Sequence, residues 1–315
     1  MSFARVATFG EALGLATNII PGTIVGSRLH TMGFGGAETN VAIALTRLGV
    51  PVTWFSRLGT DPFGDLILRE LRAEGVDTRV TRDSTRPTGF MLKQRRNASV
   101  ASVSYWRRGS AATRLAAAEI DDDTIAGAAI LHITGITPGL SPIARETTLD
   151  VVRRARRLGT LVSFDVNHRE GVWPAKRAAP MYRLLASLSD IVFAGQDEAR
   201  LISDARDPSA LARDIAQLGP AEVLIKQAEE GAIADIDGVF MKQPARRVTV
   251  VDSVGAGDSF VAGYLSSRLS GALPADRLLR AVTLGALACT SHGDWESSPR
   301  LEELDRLFAS EGTTR

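Results

Sequence analysis

The sequence predicts an α/β protein built on a mainly parallel β-sheet. Short β-branched or apolar runs alternate with longer amphipathic runs over most of the 315 residues, and the connections between them are short. Several amphipathic runs end in glycine, as at Leu48-Gly49 and Leu158-Gly159, which is typical of helix C-termini. The alternation indicates βαβ units, in which ligands bind beyond the carboxyl ends of the parallel strands.

The individual elements follow from hydrophobic periodicity and from turn signals. We predict strands at Val6–Phe9, Val52–Ser56, Ile130–Ile133, Leu161–Asp165, Ile191–Ala194, Val223–Ile225 and Val248–Val251. We predict helices at Ala37–Leu48, Gly64–Glu74, Ser141–Leu158, Ala179–Leu188, Asp197–Ser203, Pro208–Leu218 and Ser259–Arg268.

Two stretches interrupt this alternation. Asn18–Met32 is polar and β-like, and a second stretch reads as two alternating strands, Gly89–Gln94 and Val100–Trp106. Antiparallel segments inserted into an α/β body predict a small sheet placed over the site as a lid. An exposed edge of such a sheet can pair across a homodimer, which we expect here.

Composition excludes several classes of function. The net charge of +1 gives no argument for binding nucleic acid or a membrane surface. No apolar run reaches the roughly 18 residues that a membrane span needs. The start of the sequence lacks a secretory pattern, and the lone Cys289 excludes an internal disulfide framework. We therefore expect a cytoplasmic protein with one domain over residues 1–315 and lid segments at about 12–34 and 86–108.

Positive charge is concentrated in and beside the predicted lid. Nine basic residues are opposed only by Asp83: Arg79, Arg82, Arg86, Lys93, Arg95, Arg96, Arg107, Arg108 and Arg114. A solvated strand face explains any one of them, but a cationic lid as a whole is suited to an anionic ligand.

The strongest chemical signal is the segment Val250–Phe260, where a β-rich run is followed by a small-residue turn and an apolar helix. Gly255, Ala256 and Gly257 leave backbone N–H groups uncovered at a helix N-terminus, a geometry that holds a phosphate and stabilises developing negative charge. Asp258 lies in the same first turn, where the helix dipole favours its carboxylate form. It is either a general base for an attacking hydroxyl or only an N-capping residue.

A second glycine-rich segment, Gly33–Asn40, opens a predicted helix. It is not a dinucleotide fingerprint, because Glu38 stands where the third glycine belongs. Gly35 and Gly36 either form a tight turn or leave bare backbone beside Asn40, whose amide can both donate to and accept from sugar hydroxyls. A P-loop and the protein-kinase motifs are absent from the sequence.

These two segments, in this order, resemble the ribokinase-like PfkB carbohydrate kinase family. The family signature is Asp-Thr-x-Gly-Ala-Gly-Asp, in which Ser253 here replaces the threonine, and Leu58–Gly64 resembles a further recurrent family stretch. The resemblance implies a three-layer α/β/α fold with a mainly parallel central sheet and a small β lid. It also implies an ATP- and Mg²⁺-dependent kinase that phosphorylates an alcohol group, with Asp258 as the base and Gly255, Ala256 and Gly257 as the anion hole.

Within the family, the sequence is most similar to 2-keto-3-deoxygluconate kinases. The similarity lies in Tyr105–Ala111, His132–Pro138, Phe164–Arg169 and Gly293–Glu296. It implies that the sugar acid lies against Gly36, Asn40, Met91, Tyr105, Arg107, Arg169 and Asp294. It implies that the nucleotide borders Asn167, Lys226, Gly231 and Ser253. Two arginines can grip a carboxylate, which a neutral sugar lacks.

Several positions depart from the family pattern. Met91 stands where these kinases usually carry tyrosine, and Ala228 where glycine is usual. Gly195 replaces the asparagine of an Asn-x-x-Glu stretch that organises Mg²⁺, while Glu198 remains to hold the metal through water. The stretch 297–299 also differs. These departures leave the family intact and leave the exact substrate open.

Several alternatives therefore remain. The chain is a 2-keto-3-deoxygluconate kinase, a related kinase for fructose or another aldonic-type acid, or a sugar-binding regulator that has lost catalysis. A nucleoside kinase fits a basic lid poorly, because a nucleoside carries no charge. Glu11, after the first strand, is either a site residue or a packing residue, and Trp295 is better explained by packing. The four histidines lack metal-ligand spacing.

Overall fold

The computed structural model describes residues 4–24, 26, 28–96, 101–304 and 306, and its strands form two sheets. The strands are β1 Arg5–Phe9, β2 Leu13–Asn18, β3 His30–Gly35, β4 Val52–Gly59, β5 Asp77–Asp83, β6 Gly89–Arg95, β7 Ala101–Trp106, β8 Ala128–Thr134, β9 Leu161–Asp165, β10 Ile191–Gly195, β11 Glu222–Lys226, β12 Ala232–Ile236 and β13 Val239–Gln243.

The large sheet has the strand order β13-β12-β11-β10-β9-β8-β1-β4-β5. From β11 to β5 every neighbouring pair is parallel, and β12 and β13 are added as an antiparallel hairpin at one edge. The small sheet has the order β3-β2-β6-β7. We call this small sheet the lid sheet.

Helices cover both faces of the large sheet. They are α1 Ala37–Arg47, α2 Pro62–Ala73, α3 Asp122–Ala126, α4 Pro142–Leu158, α5 Ala175–Ser187, α6 Gln196–Ala199, α7 Pro208–Ala216, α8 Ala256–Leu269 and α9 Pro274–Ala288.

Two hydrophobic cores lie on opposite faces of the large sheet. The first joins Trp54 to apolar side chains of α1, α2, α8 and α9, such as Val41 and Leu265. The second joins Phe9 to side chains of α3, α4, α5 and α7, such as Val152. Alternate residues of one strand point to opposite faces, so buried parallel strands are apolar on both. The predicted three-layer α/β/α fold is confirmed.

Six of the predicted parallel strands are present, but the strand at Val248–Val251 is wrong. This stretch is an extended loop outside the large sheet, and Val250 is 65% exposed. Its β-branched composition suggested a strand, but the β12–β13 hairpin occupies the edge of the large sheet with which such a strand would pair. The sequence signal for that hairpin was Asp237-Gly238, whose positive φ angles of 51° and 78° form the tight turn.

The lid also differs in detail from the expectation. Among the described residues of Asn18–Met32, only the two ends are strands, and β2 and β6 pair in parallel, whereas we expected an antiparallel insertion. The pairs β2–β3 and β6–β7 are antiparallel as expected. Val100, the predicted start of the last lid strand, lies outside the described residues.

Some helix boundaries were misjudged as well. The helix predicted from Ser259 begins at Ala256, and the one predicted over Asp197–Ser203 is only the single turn α6. Helix α9 and strand β5 were not predicted. In the described part of the chain, no helix combines the length and the apolar character that a membrane span requires.

Candidate active site

A cleft of about 410 Å³ lies at the carboxyl ends of β9, β10 and β11. Its floor comes from those strand ends, from the start of α1 and from the turn before α8. Met91 of β6, and Tyr105 and Arg107 at the end of β7, line it from the lid side. This is the edge of the sheet at which the alternation of strands and helices predicted a ligand.

Asp258 is the central group of the cleft. It lies in the first turn of α8, and its residue is 8% exposed. Asn40 Nδ2 donates to Asp258 Oδ2 at 2.7 Å, and Asn167 Nδ2 donates to Oδ1 at 3.3 Å. Asn40 lies on α1 and Asn167 follows β9, so three distant segments meet at one carboxyl group.

Burial raises the pKa of Asp258 to about 7, and the nearby charge of Asp165 adds to the rise. The hydrogen bond from Asn40 and the charges of Arg169 and Lys226 oppose it. We expected the helix N-terminus to favour the carboxylate, but burial is the larger effect. A carboxyl group with a pKa near neutrality is well placed to accept a proton from a hydroxyl group.

Asn40 has a second functional atom. Its Oδ1 is buried and has no hydrogen-bond partner among the described residues, although its Nδ2 is held by Asp258. A buried acceptor without a partner is costly. Because Asn40 lines the cleft, a ligand hydroxyl that donates to Oδ1 would remove this cost.

The predicted anion hole is a turn of defined geometry. Gly255 caps α8 with φ of 76°, in the left-handed region that glycine tolerates. A Cβ at this position would also lie 1.9 Å from the carbonyl oxygen of Asp294. Gly255 and Gly257 line the cleft, and Ala256 lies between them in the chain. The first amide groups of a helix have no intrahelical partner, so this turn can bind an anion.

A buried cation lies beside the turn. Lys226 Nζ contacts both oxygens of Asp165, at 2.8 and 2.9 Å. Burial is the largest single effect and lowers the pKa of Lys226, but Asp165, Glu198 and Asp258 together outweigh it, so the net pKa is raised. A Cβ built on Gly257 would lie 3.5 Å from Nζ. The ammonium group therefore adds fixed positive charge next to the turn at Gly255–Gly257.

Arg107 reaches the cleft already paired with Glu11. Its Nε donates to Glu11 Oε2 at 2.7 Å, and Ser110 donates a short hydrogen bond to Glu11 Oε1. The guanidinium carbon lies 5.7 Å from the ring centre of Tyr105. Glu11, for which the sequence left two interpretations, lines the cleft and fixes Arg107.

The remaining substrate-side positions lie at the rim or in the wall. Arg169 is exposed over 51% of its side chain, and its Nη1 lies 4.0 Å from Glu198 Oε1. Glu198 accepts from the backbone of Gly195 at 2.6 Å and from that of His168 at 3.0 Å. Gly36, Met91 and Ser253 are further lining residues, and Asp294 joins them with its pKa raised to about 6 by burial.

One predicted site residue lies elsewhere. Gly231 precedes β12 and does not line the cleft, and a Cβ there would lie 2.1 Å from the carbonyl oxygen of Gln243. A close approach of two backbone segments therefore requires this glycine. Ala228, three residues earlier, has φ of 47°, a region in which glycine is more comfortable.

The cationic lid does not act as one surface. Of the nine basic residues, all of which the structure describes, Arg107 alone lines the cleft. Arg82 donates to the Gly59 carbonyl and to Asp65. Arg95 donates to the carbonyl groups of Asn18 and Ile19 at the end of β2. Lys93 pairs with Asp252. The expectation that these charges collectively attract an anionic ligand is therefore not supported.

Sequence reasoning missed several buried groups. Asp165 was read only as the end of a strand, and Glu38 only as an obstacle to a dinucleotide motif. Glu38 is buried and accepts from Thr134 and Thr137 at 2.6 and 2.7 Å. A polar residue at the end of an apolar strand, or at the start of a buried helix, was the available signal.

Similarity to known proteins decides the family. Residues 6–301 match the pfkB family carbohydrate kinase. The chain belongs to the pfkB family of carbohydrate kinases. This pfkB kinase is 36% identical over 313 residues to the 2-dehydro-3-deoxygluconokinase of Bacillus subtilis, covering 97% of this chain and 96% of that protein. It is 33% identical to a fructokinase of Klebsiella pneumoniae, covering 86% of this chain and 91% of that protein.

The fold is shared with solved structures. A protein from Escherichia coli, solved in complex with ATP and Mg²⁺, superposes on this pfkB kinase with a TM-score of 0.89. The two are 25% identical, and the match covers 98% of this chain and 99% of that one. The ribokinase-like fold implied by the sequence resemblance is confirmed.

Alanine should destabilise the protein at Gly255 and be tolerated at Gly257. In Gly255→Ala, the left-handed backbone and the clash with Asp294 should lower the free energy of unfolding by about 3 kcal/mol or more. In Gly257→Ala, the added methyl group has space and the helix gains propensity, so stability should change by less than about 1 kcal/mol. Urea unfolding of both variants measures the difference; equal losses would contradict this geometry of the turn.

Proposed function

We propose that this pfkB kinase transfers the γ-phosphate of ATP to a hydroxyl group of 2-keto-3-deoxygluconate, forming 2-keto-3-deoxy-6-phosphogluconate. The observation that carries the proposal is the buried carboxyl group of Asp258. It accepts hydrogen bonds from the amide groups of Asn40 and Asn167, which are 218 and 91 residues away in the chain, and it lies in the first turn of α8. A proton acceptor beside an anion hole is what phosphate transfer to an alcohol requires.

The proposed nucleotide site follows from the charges in the cleft. The phosphates lie on the turn Gly255–Gly257 with Lys226 beside it, and Ser253 and Asn167 border the nucleotide. In this arrangement the first-turn amides stabilise charge on the transferred phosphate, while Asp258 accepts the proton of the attacking hydroxyl.

The chain's own groups also fit a metal held mostly by water. Among the described residues, no cluster of three or more histidine, cysteine or carboxylate side chains is present to chelate a metal directly. Glu198 lines the cleft as a single carboxylate. Mg²⁺ characteristically keeps several waters and binds through one or two carboxylates and substrate phosphates, where it neutralises phosphate charge. Glu198 would bind the water molecules that surround Mg²⁺.

The substrate assignment rests on the arginines and on the relatives. Arg107 keeps Nη1 free of the Glu11 contacts, which involve Nε and Nη2. Arg169 also lines the cleft, as a half-exposed cation. Together they can bind the acid group of the substrate. The Bacillus subtilis relative is named for 2-dehydro-3-deoxygluconate, which is 2-keto-3-deoxygluconate under another name.

A kinase for a neutral ketose is the second candidate. The observation in its favour is Glu11, which already neutralises Arg107 and leaves Arg169 as the less constrained charge for a carboxylate. The Klebsiella pneumoniae relative is named fructokinase. A regulator without catalysis is disfavoured by the intact network around Asp258. Release of ADP against a panel of sugars and sugar acids separates all three.

The domain and assembly expectations also stay proposals. We propose one kinase domain in which the lid sheet covers the cleft, and a homodimer in which lid sheets of two chains meet. Large apolar side chains are exposed on the lid, including Leu29, Met32 and Trp106, which fits burial against a second lid. The mass of the protein in solution tests the dimer.

Asp258→Asn should remove the base and preserve the shape of the cleft. We expect kcat to fall by roughly 10²–10⁴ with little change in KM. In the wild type, kcat/KM should rise with pH and level off above about 7, because only the deprotonated carboxyl accepts a proton. Retention of more than about a tenth of kcat, or a flat profile between acid and neutral pH, would contradict the role of Asp258.

Arg107→Ala should distinguish an acid from a neutral substrate. A hydrogen bond to a charged group contributes about 1.5–3 kcal/mol, so kcat/KM for 2-keto-3-deoxygluconate should fall roughly 10- to 150-fold. The loss should be much smaller for an analogue reduced at the acid carbon. Arg108→Ala, which removes an exposed neighbouring charge, is the matched control. Equal losses for both substrates would mean that Arg107 shapes the lid and does not recognise charge.

A further inference from the structure

A buried ion pair joins the lid sheet to the body of the protein. Lys93 Nζ lies 2.5 Å from Asp252 Oδ2, and the two side chains are only 7% and 12% exposed. Lysine is seldom buried unless it is paired. Lys93 and Asp252 are 159 residues apart in the chain, so their contact exists only when the lid sheet lies against the loop before α8.

Lys93 shares a strand face with a cleft residue. On β6, Gly89, Met91 and Lys93 are buried while the residues between them are less so, as expected for alternating side chains. Met91 lines the cleft and packs with Leu13 and Leu15. Met91 and Lys93 therefore lie on the same face of β6: Met91 lines the cleft, and Lys93 contacts Asp252.

Asp252 connects this ammonium group to the anion-binding turn. Its Oδ1 accepts a hydrogen bond from the backbone N–H of Val254 at 3.2 Å, and the next residue is Gly255. The preceding residue, Val251, is anchored by a hydrogen bond to the carbonyl of Cys289 at 2.8 Å. One carboxylate thus contacts the lid with one oxygen and shapes the start of the turn with the other.

The charges around Lys93 make its position important. Asp294 is close enough for its pKa to be affected by the charge of Lys93. Burial raises the pKa of Asp294, and the charge of Lys93 lowers it. The charges of Glu296 and Asp252 raise it further. His292 Nδ1 is 4.0 Å from Asp252, but the His292 side chain is 55% exposed. Without Lys93, a buried carboxylate three residues before the anion-binding turn would lack its close ammonium partner and would repel phosphate.

We infer that the Lys93–Asp252 ion pair is a latch that makes closing of the lid and ordering of the anion-binding turn one event. The inference rests on the proposed function for the role of the turn. Lys93 is a positioning residue, which acts on the phosphate through Asp252 and Val254. When the lid sheet moves away, Asp252 loses its counter-charge and the anion-binding turn is no longer supported. The turn therefore binds phosphate in a reactive position only when the lid is closed.

The test compares Lys93→Met with Arg96→Met. Arg96 follows β6 and is exposed, so both variants remove one positive charge from the lid and only one of them breaks the latch. Hydrogen–deuterium exchange of the ligand-free protein should show faster exchange at residues 250–257 and in β6 for Lys93→Met. Arg96→Met should match the wild type. Unchanged exchange in Lys93→Met would overturn the latch.

Turnover gives a second, independent reading. In Lys93→Met, kcat/KM for ATP should fall by roughly 10- to 100-fold. The acceptor sugar should also increase the rate of ADP release less than it does in the wild type. Lys93→Arg, which retains the charge, should recover part of the loss. Should Lys93→Met fail to fold, Asp252→Asn breaks the same ion pair and carries the same measurements. A loss in kcat/KM that Arg96→Met shares would overturn the proposal.

A double-mutant cycle tests whether the two residues act together. In Lys93→Met/Asp252→Asn, the buried carboxylate is gone along with its partner, so the double variant should lose no more activity than the worse single variant. Multiplicative losses would show that the residues act separately and would overturn the latch. The exchange experiment needs no turnover: faster exchange in Lys93→Met, with no sugar phosphorylated by the wild type, would reject the proposed function and leave the structural latch standing.

Discussion

The rest of the site depends on one constraint, the burial of the Asp258 carboxyl group between two asparagine amides. Burial disfavours its charge, and the amides of Asn40 and Asn167 partly compensate by donating to it. The same contacts bring the start of α1, the end of β9 and the start of α8 to one point. Asn167 adopts a φ of 37° there, a conformation that asparagine tolerates better than most residues.

Around this carboxyl group, the positive charges of the cleft are fixed by partners before any ligand arrives. Lys226 is held by Asp165 and Arg107 by Glu11. Each pair places a cation in a defined orientation and lowers the cost of burying it. Under the proposed function, an acid group would therefore be recognised by the donor atoms that these pairs leave unused and by Arg169, whose side chain is half-exposed.

Much of the fold could be predicted from the sequence, because apolar strands alternating with glycine-capped helices leave few arrangements other than a parallel sheet. The turn before α8 was equally readable, since Gly255, Gly257 and Asp258 lie together in the sequence; its role in binding an anion stays a prediction. The pairs Glu11–Arg107 and Asp165–Lys226 were not, because the partners are 96 and 61 residues apart and nothing local marks them. The strand predicted at Val248–Val251 was wrong because a local signal was overridden by a distant one. Its composition is β-like, but a hairpin occupies the adjacent sheet edge.

The separation of the site segments along the chain has a consequence for biosynthesis. Asn40 and Asp258 are 218 residues apart, so a chain emerging from the ribosome exposes the first half of its site long before the second half exists. During that interval, Asn40 lacks the carboxyl group that it will later contact. A ligand that contacts both Asn40 and Asp258 needs both segments in place, so its binding would stabilise them together. A cleft ligand thus acts as a reporter of complete synthesis and folding.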